Sequence, residues 1–220
     1  MEKAEALINA FAMAQPSRTL IRKPDMRTLR TAFLTTLLAA GAIQAADTSA
    51  GSKPYKGRVH TIPGLIEAEH YDEGRPGAAY QDADEQNRGA NYREKTQVDI
   101  EKRADASNGH GIGWTTKGEW LVYTVNVKSK GVYDIVIPVA SNKKGGDFHI
   151  ELAGKDVTGR ISVPDTGGWQ TLKTITHKNV RIDKAGQLKM KVVMDEIGPS
   201  NSIADIDYFK FVKTAIRPKD

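Results

Sequence analysis

Carboxylates are the residues whose spacing first invites chemistry. In residues 62–71, IPGLIEAEHY, period-two alternation puts Leu65, Glu67 and Glu69 on one face and Ile66, Ala68 and His70 on the other. Two acids on one face of a half-buried strand call for a cation or an arginine, because an unpaired buried charge is costly. Glu67 with Glu69, or Asp205 with Asp207, would also make the acid pair that glycoside hydrolysis needs, but neither pair carries the signature of a flanking cleft. The five histidines (His60, His70, His110, His149, His177) are scattered without metal-ligand spacing. Residues 109–113, GHGIG, lack the spacing of a dinucleotide loop, and no G-x-S-x-G, H-E-x-x-H or phosphate loop is present. One aromatic stands out: residues 164–168, PDTGG, form a turn cluster that throws Trp169 outward.

The elements that position these residues are strands. Residues 113–127, GWTTKGEWLVYTVNV, contain the clearest one, with Leu121, Tyr123, Val125 and Val127 on one face and Trp120, Val122, Thr124 and Asn126 on the other. The apolar face packs under a second sheet; Thr124 and Asn126 predict that the opposite face becomes wet along its length. Trp114 and Trp120 read as packing residues, Trp120 at the edge of the second face. Residues 131–140 make a second strong strand after a hairpin turn at 128–131, and further alternating runs follow at 148–152, 157–163, 171–176, 188–194 and 203–212. Residues 72–94, with three glycines and several Asp and Asn, form a long loop, and a loop of that length in a compact domain is functional or metal-organised. No segment after residue 62 has a 3.6-residue period. The expected fold is all-β: a two-sheet β-sandwich, a jelly roll of about ten short strands, preceded by a signal peptide.

The 220 residues, 39% hydrophobic and 27% charged, suit one core with something added. Residues 26–46, MRTLRTAFLTTLLAAGAIQAA, have a basic start, an apolar run and small residues at Ala45 and Ala46, the pattern of a secretory signal peptide. The run is shorter than the roughly 20 apolar residues of a membrane helix. Met26 is the natural start of that signal, so residues 1–25 read as a misassigned upstream extension; the alternative is that 1–45 form an amphipathic helical arm. Residues 47–61 read as a flexible leader, 62–212 as the domain and 213–220 as a tail. The formal charge is +5, but residues 1–45 hold six basic and three acidic residues, which leaves 26 against 24, or +2. A nearly neutral domain with interspersed charges offers no footprint for nucleic acid or an anionic membrane. The absence of cysteine excludes disulfides and thiolate metal sites, leaving packing and a hard cation on oxygen ligands as sources of stability.

In order and spacing, IEAEHY at 66–71, AYQD at 79–82, ANYR at 90–93, VDIE at 98–101, GIGWTTKGEWLVYTVNV at 111–127, VPDTGGWQT at 163–171 and IDYFKF at 206–211 resemble the family 6 carbohydrate-binding modules of secreted polysaccharide hydrolases. The resemblance implies a sugar site in the loops at one end of the sandwich, where two aromatic rings hold a terminal sugar. The family's motif positions fall on Tyr92 and Trp169, with Asn91 supplying a hydrogen bond. Stacking suits a pyranose, whose C–H face is apolar while its rim of hydroxyls needs polar partners. The family's third contact, an Asn, aligns with Asp205. Asn201 is the first choice for that role and Asp205 the alternative; an Asp accepts from hydroxyls but does not donate as an amide does. The resemblance also implies a structural Ca2+ on Glu67, Glu69 and Asp207 with carbonyls from the 72–94 loop, unless Arg88 or Arg93 satisfies those acids. A second ion on Asp82 and Asp84 is not expected.

The resulting expectation is a secreted, monomeric, non-catalytic module, extracellular or periplasmic, that binds a polysaccharide. Agarose-type galactan, β-1,3-glucan and xylan are the candidate ligands, and neither nucleic acid nor membrane is a partner after signal cleavage. A small glycosidase and a protein-binding adhesion domain are the rival readings.

Overall fold

The computed structural model describes residues 51–90 and 92–214. The signal peptide expected at 26–46 and the extension at 1–25 lie outside the described residues. A short 3-10 turn at Tyr55–Gly57 precedes β1 (His60–Ile62), β2 (Gly64–Glu67), β3 (Tyr80–Gln81), β4 (Ile100–Lys102), β5 (His110–Ile112), β6 (Trp120–Val127) and β7 (Gly131–Ser141). Then come β8 (Asp147–Leu152), β9 (Lys155–Asp156), β10 (Ile161–Ser162), β11 (Gly168–Ile182), β12 (Gly186–Glu196), β13 (Asp205–Ile206) and β14 (Tyr208–Thr214). The chain is all-β and forms two sheets. One runs β1-β6-β12-β8-β10, with β3 on β6 and β9 on β8; the other runs β2-β14-β7-β13-β5-β4, with β11 on β7.

The inward residues of β6 (Leu121, Tyr123, Val125, Val127) are all buried, as their alternation requires, and they face Ile135, Ile137 and Val139 of β7 and Phe209 and Phe211 of β14 in one core. Tyr123 on the first sheet meets Phe209 on the second edge to face at 6.0 Å, and Phe209 meets Phe148 at 6.5 Å. Such pairs add about 0.5–1.5 kcal/mol to what burial alone supplies.

Three expectations need correction. The outer face of β6 is not wet at Thr124, which is 1% exposed. Its N–H and Oγ1 each donate at 2.7 Å to the Asp72 carboxylate, and Lys189 Nζ reaches that carboxylate at 2.6 Å. The alternation was read correctly, but a polar side chain with a buried partner is not a solvated one. The leader is also tied down where it is described: Lys53 bridges to Glu73, Tyr55 is buried, and β1 pairs in parallel with β6 through His60 opposite Val125. Finally, residues 168–182 are one long strand with register shifts, and 203–212 contain two strands broken at Asp207. The break places Asp205 and Asp207 in separate surroundings.

No helix among the described residues is long and apolar enough to cross a membrane.

Candidate functional site

Strands β5 and β7 end, and their antiparallel neighbours β13 and β11 begin, at the same edge of the second sheet. A cavity of about 400 Å³ opens there, lined by Glu101 of β4, Trp114 just beyond β5, Trp169 and Gln170 at the start of β11, Ser200, Asn201 and Ser202 of the turn after β12, and Asp205 of β13. Two tryptophans thus share one cavity with a polar floor.

Hydrogen bonds fix each wall. Thr115 Oγ1 donates to the Ala204 carbonyl at 2.6 Å, while Ser202 Oγ and Ile203 N donate to the Thr115 carbonyl at 2.7 and 2.9 Å. The loop that carries Trp114 is therefore stitched to the turn that carries Asn201. On the opposite wall, Thr166 Oγ1 accepts from Ser141 N at 2.9 Å and lies 3.1 Å from the Gly168 carbonyl, which sets the entry to Trp169. Both Trp114 (φ 50°) and Asn201 (φ 62°) occupy the left-handed region. Asn tolerates it; for Trp it costs about 1–2 kcal/mol.

The floor is built around Arg103, whose side chain is wholly buried. Its Nε and Nη2 grip the two oxygens of Asp105, each at 3.0 Å, and its Nη1 points at Glu101 Oε2 (2.8 Å), Asp205 Oδ2 (3.0 Å) and the Trp169 carbonyl (2.7 Å). Gln170 Nε2 donates to the other oxygen of Glu101. Burial, and then the neighbouring Glu101 charge, push Asp205 up to about 7 against the opposing pull of Arg103. A Cβ at Gly113 would lie 3.1 Å from Asp205 Oδ1, a tight approach that the carboxylate would have to yield to by a few tenths of an ångström.

Of the expected sugar contacts, Trp169, Asn201 and Asp205 line this cavity together. Tyr92 does not. Its ring stacks on His110 with centroids 4.4 Å apart, and its hydroxyl lies 2.9 Å from His70 Nε2 and 3.0 Å from the Tyr55 hydroxyl. Its ring and hydroxyl are both in contact with protein, and it lies outside the residues that line this cavity. Asn91 lies outside the described residues. The second tryptophan lining the cavity is Trp114, 46% exposed, where the sequence predicts a packing residue. Its flanks, Gly113 before and Thr115-Thr116-Lys117-Gly118 after, are turn chemistry and carried the missed signal. Glu101 was also missed. Trp120 is partly buried on the outer face of β6, with Lys191 Nζ 4.3 Å from its ring centroid.

The expected metal ligands gather elsewhere. Ser107 Oγ donates to Glu67 Oε2 at 2.6 Å and lies 3.0 Å from Asp207 Oδ1, Ser107 N donates to both Asp207 oxygens, and Asn108 donates to Glu69 Oε1. Glu69 Oε2 is buried without a partner. Burial pushes Glu69 up to about 7, and the charges of Glu67 and Asp207 add to the rise. Neither Arg88 nor Arg93 relieves these acids. Arg88 pairs with Asp84, and Arg93 donates to the carbonyls of Glu69, Tyr71 and Asp72. His70 Nε2 lies 3.6 Å from Glu69, but burial holds its pKa down at about 4, so it brings no charge at neutral pH. No group of three or more His, Asp or Glu among the described residues forms a finished metal cage. The segment that reaches the acids is the one bearing Ser107 and Asn108, where the 72–94 loop was expected. The latter is held by Asp84 with Arg88 inside the loop and, outside it, by Arg88 N on Asp99 and Ala83 N on Glu119.

Known proteins bear on this geometry. The α subunit of clotting factor G from Tachypleus tridentatus is 36% identical over 94 residues, which is 42% of this chain and 14% of that protein. Beta-agarase AgaA of Microbulbifer thermotolerans is 30% identical over 108 residues, or 48% of this chain and 24% of the agarase. The chain therefore spans only a minor part of each. Among solved structures, a carbohydrate-binding module from Cellvibrio mixtus lichenase 5A in complex with cellotriose matches 70% of this chain and 99% of the module at 28% identity, with a TM-score of 0.50. A β-1,3-glucan-binding module from Bacillus halodurans matches 70% and 98% at 25% identity, with a TM-score of 0.51. The model of carbohydrate-binding module family 6 matches residues 88–213, more than half of the chain and every strand that builds the cavity. This protein belongs to family 6 of the carbohydrate-binding modules.

Proposed function

We propose that the cavity between Trp114 and Trp169 binds the end of a neutral or basic β-linked polysaccharide and leaves it uncleaved. The observation that carries the reading is the joining of two tryptophans and a hydrogen-bonding floor (Glu101, Gln170, Asn201, Asp205) in one cavity. Its volume of about 400 Å³ falls in the range of small-molecule sites, about 300–1,000 Å³. Each tryptophan offers an apolar face to a pyranose, and the floor meets the hydroxyl rim.

The carboxylates favour holding over hydrolysis. Neither Glu67 with Glu69 nor Asp205 with Asp207 flanks the cavity, since only Asp205 of the four lines it. Within it, Glu101 and Asp205 are both tied to Arg103 Nη1 and are not poised on opposite sides of a bond. The protein is read as a secreted monomeric module that anchors or presents, acting beside or within a hydrolase. The agarase and glucan-binding relatives favour galactan or β-1,3-glucan as its ligand class, with xylan next.

Glu67, Glu69 and Asp207 fit a Ca2+ ion by their chemistry: hard oxygen donors, mutual repulsion and one buried oxygen on Glu69 without a partner. When bound, the ion would supply positive charge to three carboxylates that no cationic side chain pairs with directly, and so hold the end of β2 to the junction of β13 and β14.

Affinity electrophoresis of the purified protein through gels containing agarose, laminarin or xylan tests the binding reading. Retardation by at least one glycan, lost in Trp169→Ala with an unchanged circular dichroism spectrum, is the expected result. Migration unaffected by every glycan would overturn it in favour of a protein partner, and release of reducing sugar would favour the hydrolase.

A further inference from the structure

The floor of the cavity carries more negative charge than its one cation can answer. Arg103 faces three carboxylates, and its Nε and Nη2 form a bidentate pair with Asp105. That leaves Nη1, with two hydrogens, facing three acceptors within 3.0 Å: Glu101, Asp205 and the Trp169 carbonyl. One acceptor is always short of a proton donor. Among the described residues no Lys, Arg or His lines the cavity. Asp205 Oδ1 accepts no hydrogen bond among the described residues and is not sealed from the cavity. A charged floor short of donors thus lies between two tryptophan faces.

We propose that this site selects an amino sugar with a free amine, its ammonium directed at Asp205 and Glu101 and its ring held by Trp114 and Trp169. The inference rests on the reading of the cavity as a sugar site and adds the ligand's charge. An ammonium group brings three donors and a full positive charge to the oxygen that lacks a partner, whereas a hydroxyl brings one donor and no charge. Tryptophan faces also attract a cation through the ring quadrupole. N-acetylation removes the charge and two of the three donors while leaving the ring unchanged, so the acetylated sugar is the sharpest contrast.

Isothermal titration at a pH where the amine is protonated should compare the β-1,4-linked glucosamine pentamer with its N-acetylated counterpart and with cello- and laminaripentaose. The glucosamine pentamer is expected to bind at least about tenfold more tightly than its N-acetylated form, with the gap narrowing as salt is added. Asp205→Asn, verified as folded by its melting curve, should bring the two affinities together, and Glu101→Gln should narrow the gap. Equal or weaker binding of the amine beside clear binding of a neutral pentamer overturns the inference and leaves the sugar site standing. Failure of every pentamer overturns the inference, and the sugar site itself falls if the agarose, laminarin and xylan gels also leave migration unaffected. Glucosamine binding that survives Trp169→Ala is surface adhesion and also refutes the proposal.

Discussion

Trp114 allows stacking and backbone strain to be separated by one pair of substitutions. Its ring is 46% exposed at φ 50°. About half of a tryptophan's 150–250 Å² is therefore packed on protein, worth about 2–3 kcal/mol at ~25 cal/mol/Å². Replacement by alanine loses that packing and keeps a Cβ in the left-handed region. Replacement by glycine loses the same packing but recovers about 1 kcal/mol of the conformational cost. Trp114→Gly should consequently be more stable than Trp114→Ala by about 1 kcal/mol or a little less, given glycine's greater freedom in the unfolded chain. Their effect on sugar should be the same. A pyranose face that covers roughly 80 Å² of the exposed ring contributes about 2 kcal/mol, so both variants should weaken binding by about thirtyfold. Denaturant melts measure the first quantity and titration with the best glycan the second. Wild-type affinity in both folded variants would refute the placement of the sugar between the tryptophans. Equal stability of the two would refute the strain argument alone.

Tyr92→Phe removes the hydroxyl that meets His70 and Tyr55 and should cost about 1 kcal/mol of stability with glycan affinity intact, as a paired melt and titration would show. A loss of affinity with no loss of stability would return Tyr92 to the sugar site. Chelation should lower the melting temperature, and added Ca2+ should restore it in the wild type but not in Glu69→Gln; a chelator-insensitive melt speaks against the ion. Asp205 has its folded-state pKa raised to about 7 above an ordinary 3.8, so its contribution to stability is complete below about pH 4 and is lost as pH rises through 7. A rise of about three units bounds that loss at roughly 4 kcal/mol. The chelated wild type should accordingly melt at a lower temperature at pH 8 than at pH 5, by a margin that shrinks in Asp205→Asn, and an equal pH slope in the two proteins would remove Asp205 as the cause.

The strands were legible because alternation is a local signal. Leu121, Tyr123, Val125 and Val127 announce their face without knowledge of what covers it. What covers it is not local, and Thr124 shows the limit: its polarity predicted water, while its partners Asp72 and Lys189 are 52 and 65 residues away. The site was half legible for the same reason. Trp169 follows a turn cluster that pushes it outward whatever the rest of the chain does. Tyr92, placed by motif position, turned out to be held by Tyr55 and His70, residues that no spacing rule connects to it. The segment bearing Tyr55 was read as flexible because it lacks periodicity, and it is that segment which takes the Tyr92 hydroxyl away from ligand. With the Tyr92 ring used in packing, the second stacking face had to come from another exposed aromatic at the same edge of the sheet, and only the joining of the β5 end to the 202–204 turn brings Trp114 there. The charge of the floor follows from the same long-range assembly. An Asp at 205 read in isolation is a weakened sugar contact; beside Arg103, Asp105 and Glu101 it becomes part of an anionic floor with one oxygen unclaimed, and the ligand's charge becomes a property that selection can act on.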